Sequence, residues 1–312
     1  MRAIVLGGSG FIGSHLVDRL LGRGDDVVVV DSYLTGRRQN LAHLQGNARL
    51  KLVEHDICKP IPVVGPCDAV FNLASPASPI DYARLPLETM DVGSLGTRNA
   101  LDLARAGGAI LLHASTSEIY GDPLVHPQRE DYFGNVNPIG PRACYDEAKR
   151  FSETLITTYA RVHGTKFRIA RIFNTYGPRM RIDDGRVVPA FVTHALRGED
   201  FPVFGDGTQT RSFCYVDDLV RGLLLLLEKG ADQPVNIGNP AEMTLREFAE
   251  AVRRAVGKGG AVRTVRPLPE NDPKQRKPVI ERAQQQLGWE PRVPLEEGLK
   301  PTVEYFRREL GL

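Results

Sequence analysis

The chain has 312 residues, enough for one large core and a smaller lobe. Apolar residues make up 42% and charged residues 25%, the balance of an ordinary globular protein; the net charge of +2 is scattered and builds no basic face for nucleic acid. The longest apolar run, Leu223 to Leu227, is far too short for a membrane span.

In chain order, Arg2 to Gly7 is an apolar run ending in glycines, and Phe11 to Leu21 has apolar residues at helical spacing. Val27 to Asp31, Arg49 to Glu54, Asp68 to Leu73, Ile110 to Ser115 and Phe167 to Ile172 repeat the buried-strand pattern. Leu87 to Arg105 and Arg142 to His163 are predicted helices between them. Strand–helix alternation of this kind predicts a Rossmann-type, doubly wound parallel sheet. After Asn174 the pattern changes. Tyr176 to Arg211 is rich in Gly, Pro, Arg and Asp, with one helix near Val187 to Arg197. Tyr215 to Glu228 and Val235 to Gly238 look like a helix and strand of the main sheet, and amphipathic helices follow from Met243, interrupted by a Pro- and charge-rich segment, Pro267 to Pro278. The expected division is a dinucleotide-binding domain of residues 1–175 with 212–238, and a discontinuous substrate-binding lobe of 176–211 with 239–312. Cys58, Cys67, Cys144 and Cys214 form no CxxC pair, and no histidine cluster has metal-ligand spacing. Reduced thiols, no metal and a cytoplasmic protein without a secretory leader are expected.

Gly7-Gly8-Ser9-Gly10-Phe11-Ile12-Gly13 joins the first strand to the first helix. Gly7, Gly10 and Gly13 permit a tight turn, close approach of backbone N–H groups to a pyrophosphate, and helix-on-strand packing. Asp31 closes the second strand 18 residues after Gly13, a position suited to a carboxylate bonding ribose hydroxyls. It would repel a 2′-phosphate, so NAD is expected over NADP, although Arg37 and Arg38 follow closely. Asp56-Ile57, after the third strand, is placed either to touch the adenine or simply to make a turn.

Tyr145 and Lys149 lie four apart in a predicted helix and share a face; Thr116 lies 29 residues upstream at a strand end. A tyrosine that takes a proton from a substrate hydroxyl serves hydride transfer, but poising a phenol of pKa ~10 near neutrality needs about 4 kcal/mol. A lysine ammonium and an oxidised nicotinamide are the natural sources. Glu118 follows at the carboxyl end of the same strand, as acid, base or water-orienting group, or as a loop carboxylate. Arg211, in Gln209-Thr210-Arg211-Ser212-Phe213, is open between a diphosphate contact and a solvated side chain. Arg276, in Asn271 to Pro278, is open in the same way.

Together these residues resemble the UDP-glucuronate decarboxylase (UDP-xylose synthase) family of extended short-chain dehydrogenases/reductases over nearly the whole chain. The most specific matches are Asn72 to Pro79, Ser115 to Pro123, His126-Pro127-Gln128, Cys144 to Glu147, Ala170 to Met180, Asp184 to Val188, Gly205 to Val216 and Gly288 to Pro291. The resemblance implies oxidation of a nucleotide-linked glucuronic acid at carbon 4, loss of carbon dioxide from the resulting β-keto acid, and re-reduction with the same NAD. It implies Tyr145 as base, Lys149 bridging Tyr145 and the nicotinamide ribose, Thr116 and Arg276 on the carboxylate and sugar, and Glu118 in acid–base or water-ordering work. It also implies Phe11, Ile12, Thr35, Leu73, Ser75 and Thr175 at the cofactor; Asn174, Val188, Phe204 and Arg211 on the nucleotide diphosphate; and a homodimer paired through the two predicted helices.

Phe204 and Phe133 depart from the more usual Tyr and Trp, which leaves uracil against thymine open. A dTDP-glucose 4,6-dehydratase would need an acid where Ser117 stands. A 4-epimerase has no use for Glu118 and Arg276 around a carboxylate. Release of the 4-keto pentose and a non-catalytic dinucleotide sensor are the remaining alternatives; the intact Thr116–Tyr145–Lys149 set argues against the sensor.

Overall fold

The computed structural model describes residues 1–63, 65–267 and 275–312. Part of the Pro267 to Pro278 segment, residues 268–274, lies outside the described residues. Strands β1 (Arg2–Leu6), β2 (Asp26–Asp31), β3 (Leu50–Glu54), β4 (Ala69–Asn72), β5 (Ile110–Thr116) and β6 (Phe167–Ile172) join a last strand, Pro234–Ile237, in one seven-stranded sheet. Every pairing in it is parallel. The order is Pro234–Ile237, β6, β5, β4, β1, β2, β3. Strand order therefore reverses between β1 and β4, and the crevice beyond their carboxyl ends is where such sheets bind ligands.

Strand residues alternate between two cores. Ala3, Val5, Val27 and Val29 face one side, where they meet Leu16, Val17 and Leu20 of α1 (Phe11–Gly22). Ile4, Leu6, Val28 and Val30 face the other, with Ala100, Leu101 and Ala104. Both faces are apolar because both are covered by helices.

The predicted helix from Leu87 to Arg105 is interrupted. It comprises α3 (Pro86–Asp91), a π-helical turn at Val92–Gly96, and α4 (Thr97–Gly107). A Cβ at Gly93 would lie 2.7 Å from the Ala148 Cβ on α5 (Ala143–His163), so glycine sets how closely these helices approach. A short helix the pattern did not announce, α2 (Pro79–Arg84), precedes them, with the Ser78 hydroxyl accepting the Asp81 N–H at 3.1 Å. Tyr215 belongs to a two-residue strand with Cys214, paired with Thr175–Tyr176, and starts no helix itself. The helix after it is α7 (Val216–Lys229); α6 (Val187–Arg197) falls where expected.

Short strands tie the segments beyond the main sheet together. Phe201–Phe204 pairs in parallel with Val262–Arg266, and Thr210–Ser212 pairs antiparallel with Glu242–Thr244. α8 (Leu245–Val256) starts with a capping box between Thr244 and Glu247, and α9 (Leu295–Glu309) closes the chain. Trp289 is fully buried; its indole N–H donates to the Asp218 carbonyl at 2.9 Å. The Asp218 carboxylate accepts the Arg292 and Val293 N–H groups, each at 2.7 Å. This staple fixes the C-terminal stretch to α7. Trp289→Ala should destabilise the protein by about 3–5 kcal/mol, read as a lowered urea midpoint, whereas Trp289→Phe should lose much less.

Candidate active site

β1 hands the chain to α1 through Gly7, whose φ of +78° and close approach to Ala74 (2.7 Å for a built Cβ) exclude a side chain. At Gly13 a Cβ would collide with the Gly7 carbonyl. The first-turn N–H groups of α1 thus open onto the crevice, a ready anion site. Asp31 braces this turn, accepting the Ser9 N–H at 2.9 Å and the Tyr33 N–H at 2.8 Å. A Cβ at Gly36 would sit 2.8 Å from its Oδ1, so glycine keeps room beside this carboxylate. Arg37 donates to Glu309 at 2.7 Å and Arg38 to Glu54 at 2.5 Å, so both guanidiniums are engaged by carboxylates.

Of the residues singled out in the sequence, all but Asp31, Asp56 and Ile57 line one continuous cavity of about 460 Å³. It runs from the glycine turn past Thr116 and Tyr145 to Phe204, Arg211 and Arg276. Asp31 lies just behind the lining, at the glycine turn. Asp56 and Ile57 follow β3, outside this lining. Asp56 accepts the Cys58 N–H at 2.9 Å, a local turn, and Ile57 is packed into the core while its carbonyl accepts from Asn99 at 2.8 Å. Residues 271–274, ahead of Arg276, lie outside the described residues.

Tyr145 and Lys149 project from one face of α5 towards the end of β5. Tyr145 is buried, hydrogen-bonded to the Thr116 side chain, and stacked on Tyr82 at 5.1 Å between ring centres. Burial pushes its phenol up to about 12, against the hydrogen bond from Thr116 and the nearby charge of Arg186. Lys149 donates to the Ala114 carbonyl at 2.9 Å, and burial lowers its ammonium to about 8, with Glu153 opposing. By itself this protein environment keeps Tyr145 a phenol; ionising it requires more positive charge than Lys149 supplies.

Glu118 sits in the 3₁₀ turn after β5, where its N–H donates to the Thr116 hydroxyl at 3.2 Å. Arg276 grips its carboxylate with both terminal nitrogens, at 2.7 and 2.8 Å, and Arg142 adds a third contact at 2.7 Å. Burial alone would raise the carboxyl, but Arg276 and Arg142 hold it well below the usual carboxylate range. Arg276 also donates to the side-chain amide oxygen of Asn174 at 3.3 Å, joining two residues 102 apart in sequence. Arg211 lines the far side, with its guanidinium donating to the Thr210 carbonyl at 2.8 Å.

Arg142, Arg186, Tyr82 and Asp146 are the site residues the sequence reading missed. Arg142 stands three residues before Tyr145, a helical spacing that brings both to one face. Arg186 is paired with Asp184 at 2.7 Å and lies beside Tyr145. Tyr82 comes from α2, which carried no periodic signal. Asp146 is buried one residue past Tyr145; burial and then the Glu118 charge push its carboxyl well above the ordinary range, against Arg142 and Arg276.

The profile of the NAD dependent epimerase/dehydratase family matches residues 3–238. UDP-glucuronic acid decarboxylase 6 of Arabidopsis thaliana is 53% identical over 313 residues, covering 100% of this chain and 90% of the relative. UDP-glucuronic acid decarboxylase 1 of Xenopus tropicalis is 50% identical over 309 residues, covering 99% and 73%. The chain belongs to the UDP-glucuronic acid decarboxylase family, within the NAD dependent epimerase/dehydratase fold group. Solved relatives in that wider group superpose closely. A dTDP-glucose 4,6-dehydratase of Streptomyces venezuelae, solved with NAD, is 30% identical with a TM-score of 0.90 over 100% of this chain and 98% of that one. A UDP-glucuronic acid 4-epimerase of Bacillus cereus, solved with UDP-glucuronic acid and NAD, is 27% identical with a TM-score of 0.87 over 99% and 100%.

The Asp146 environment predicts a pH-dependent stability. Its folded-state value is raised above the ordinary 3.8, so stability is lost as pH rises above that value. Asp146→Asn should therefore raise Tm relative to the unsubstituted protein. The increment should be absent near pH 4 and grow towards pH 8 in calorimetric scans.

Proposed function

We propose that this protein is an NAD-dependent UDP-glucuronic acid decarboxylase, forming UDP-xylose and carbon dioxide through a 4-keto intermediate. One observation carries the reading. Two guanidiniums, the buried Arg276 and the partly buried Arg142, converge on a single carboxylate beside Tyr145. Two positive charges against one leave the reacting end of the cavity net positive, which suits a sugar that carries its own carboxylate. Family membership points the same way.

The glycine turn, with Phe11, Ile12, Thr35, Leu73, Ser75 and Thr175, holds NAD in this reading, and Asp31 is placed for its ribose. The engagement of Arg37 and Arg38 by Glu309 and Glu54 removes the usual partners of a 2′-phosphate, favouring NAD over NADP. When bound, NAD supplies the hydride acceptor at carbon 4 and returns the hydride at the end. Tyr145 takes the proton of the carbon-4 hydroxyl, with the Thr116 hydroxyl on the phenol and Lys149, on the same helix face, bridging towards the nicotinamide ribose. Arg276, with Thr116, holds the sugar carboxylate. Tyr145 and Thr116 then face the oxygen on which charge collects as carbon dioxide leaves the β-keto acid. Glu118, kept ionised by its guanidiniums, orders a water at the sugar. Ser117 offers no carboxylic acid for expelling a hydroxyl, which disfavours a dehydratase. Asn174, Val188, Phe204 and Arg211 line the cavity where the nucleotide diphosphate is expected. The division of labour is NAD binding by residues 1–175 with 212–238 and substrate binding by 176–211 with 239–312.

Two further features belong to the proposal. Leu87, Met90 and Leu95, on the segment running through α3 into the π-helical turn, and Phe151 and Val162 on α5 are exposed, which favours a homodimer paired through these helices. All four cysteines are unpaired, which favours a reducing compartment such as the cytoplasm.

UDP-glucuronate incubated with the purified protein and NAD should lose one carbon dioxide and give UDP-xylose without net NADH, read by mass spectrometry and NMR. Tyr145→Phe should lower kcat by about 10³-fold or more while NAD stays bound. A UDP-4-keto pentose with stoichiometric NADH would shift the reading to release of the intermediate. Turnover only of dTDP-glucuronate would change the nucleotide. Failure with every uronate would sink the decarboxylase. Light scattering at micromolar concentration should give twice the chain mass of 34.4 kDa; monomer alone would remove the dimer.

A further inference from the structure

A second cavity, of about 180 Å³, lies against the reacting end of the first. Its outer wall is the polar 121–140 loop, including Asp122, Asn135 and Asn137, and its remaining wall is Arg142 and Asp146. Arg142 lines both cavities. Asp146 follows one turn later on α5, its N–H donating to the Arg142 carbonyl at 3.1 Å. Asp146 is only 6% exposed, and its Oδ1 has no hydrogen-bond partner. A buried carboxyl oxygen in that condition calls for water, and a polar cavity this size holds several.

The chemistry lacks one participant. Loss of carbon dioxide leaves an electron pair shared between carbon 5 and the carbon-4 oxygen, and the step closes only when carbon 5 gains a proton. Tyr145 faces the oxygen. Glu118 is clamped as an anion by two guanidiniums, so it holds a water well and donates a proton poorly. Asp146 is different. The groups facing it are Glu118 from the turn after β5, Tyr82 from α2, Arg276 from the C-terminal stretch, Arg142 just before its own helix, and Tyr145 and Glu147 on that helix. Burial and Glu118 outweigh the guanidiniums and favour the neutral acid.

We propose that Asp146 supplies the carbon-5 proton from behind the site: its carboxyl O–H protonates a water ordered by Glu118, and that water gives a proton to carbon 5. The Asp146 O–H bond breaks, a carbon–hydrogen bond forms, and the enolate electron pair is consumed. A proton from bulk solvent, passed along the water of the second cavity, then reprotonates Asp146 and balances the proton that decarboxylation consumes. This role rests on the decarboxylase reading and adds a proton route to it. Asp146 acts through water and touches no substrate, so it is a positioning and relay residue.

The test compares the NAD-loaded unsubstituted protein with Asp146→Asn on UDP-glucuronate. Asp146→Asn should lower kcat by ~100-fold with KM and NAD content unchanged. Its solvent deuterium isotope effect on kcat should rise, and the fall of kcat on the alkaline side of the pH profile should disappear. Asp146→Glu should recover part of the rate. Val136→Phe fills the second cavity without altering either carboxylate, and should slow the reaction with the same raised isotope effect. An Asp146→Asn protein with unchanged kcat, isotope effect and alkaline limb overturns the relay. So does a Val136→Phe protein with full rate and an unaltered isotope effect, which also decides the matter if Asp146→Asn does not fold. If the unsubstituted protein releases no carbon dioxide from UDP-glucuronate, the decarboxylase reading fails first and the relay with it.

Discussion

A carboxylate cannot be buried alone. Glu118 sits where a parallel strand delivers it, at the closed end of a cavity, and desolvation there would cost several kcal/mol without partners. Arg276 and Arg142 provide them, and they come from opposite directions. Arg142 precedes the helix that carries Tyr145, and Arg276 arrives from the C-terminal stretch, beyond six of the seven central strands and the last one as well. The ion cluster therefore needs the whole fold in place. The Trp289–Asp218 staple and the Ser212 hydroxyl, which donates to the Arg276 carbonyl at 3.3 Å, hold the late segments where Arg276 can reach.

The same desolvation sets the state of the proton-transfer pair. Burial raises the Tyr145 phenol and lowers the Lys149 ammonium, so the two groups are pushed towards each other in pKa. The protein half of the site is thus poised but incomplete. In the proposed mechanism Tyr145 and Lys149 would sit beside the nicotinamide, and its positive charge when NAD is bound would stabilise the phenolate.

The sheet was legible because parallel strands buried on both faces are nearly pure runs of Val, Ile, Leu and Ala, and because the glycine turn, Asp31 and the Tyr145–Lys149 pair are local patterns. What failed was non-local. The break at Val92–Gly96 depends on how near α5 comes to Gly93, which no window on either helix contains. Arg142 looked like a helix start. Its role emerges only when β5 brings Glu118 opposite, 24 residues earlier in the chain.

The neighbouring folds show how narrow the functional difference is. A 4,6-dehydratase and a 4-epimerase share this backbone closely, with TM-scores of 0.90 and 0.87. Both neighbours are solved with NAD, so cofactor binding is common to the scaffold while the named reactions differ. What happens to the keto sugar next depends on which charges stand around carbon 5. An acid at position 117 would favour expulsion of a hydroxyl; Ser117 does not. In the proposed mechanism the net positive cluster of Glu118, Arg142 and Arg276 holds the sugar carboxylate while its bond to carbon 5 weakens, and the neutral acid proposed behind it completes the product. On this reading the reaction outcome rests on a few charges after the end of β5 and around the start of α5, joined by Arg276 from the C-terminal stretch.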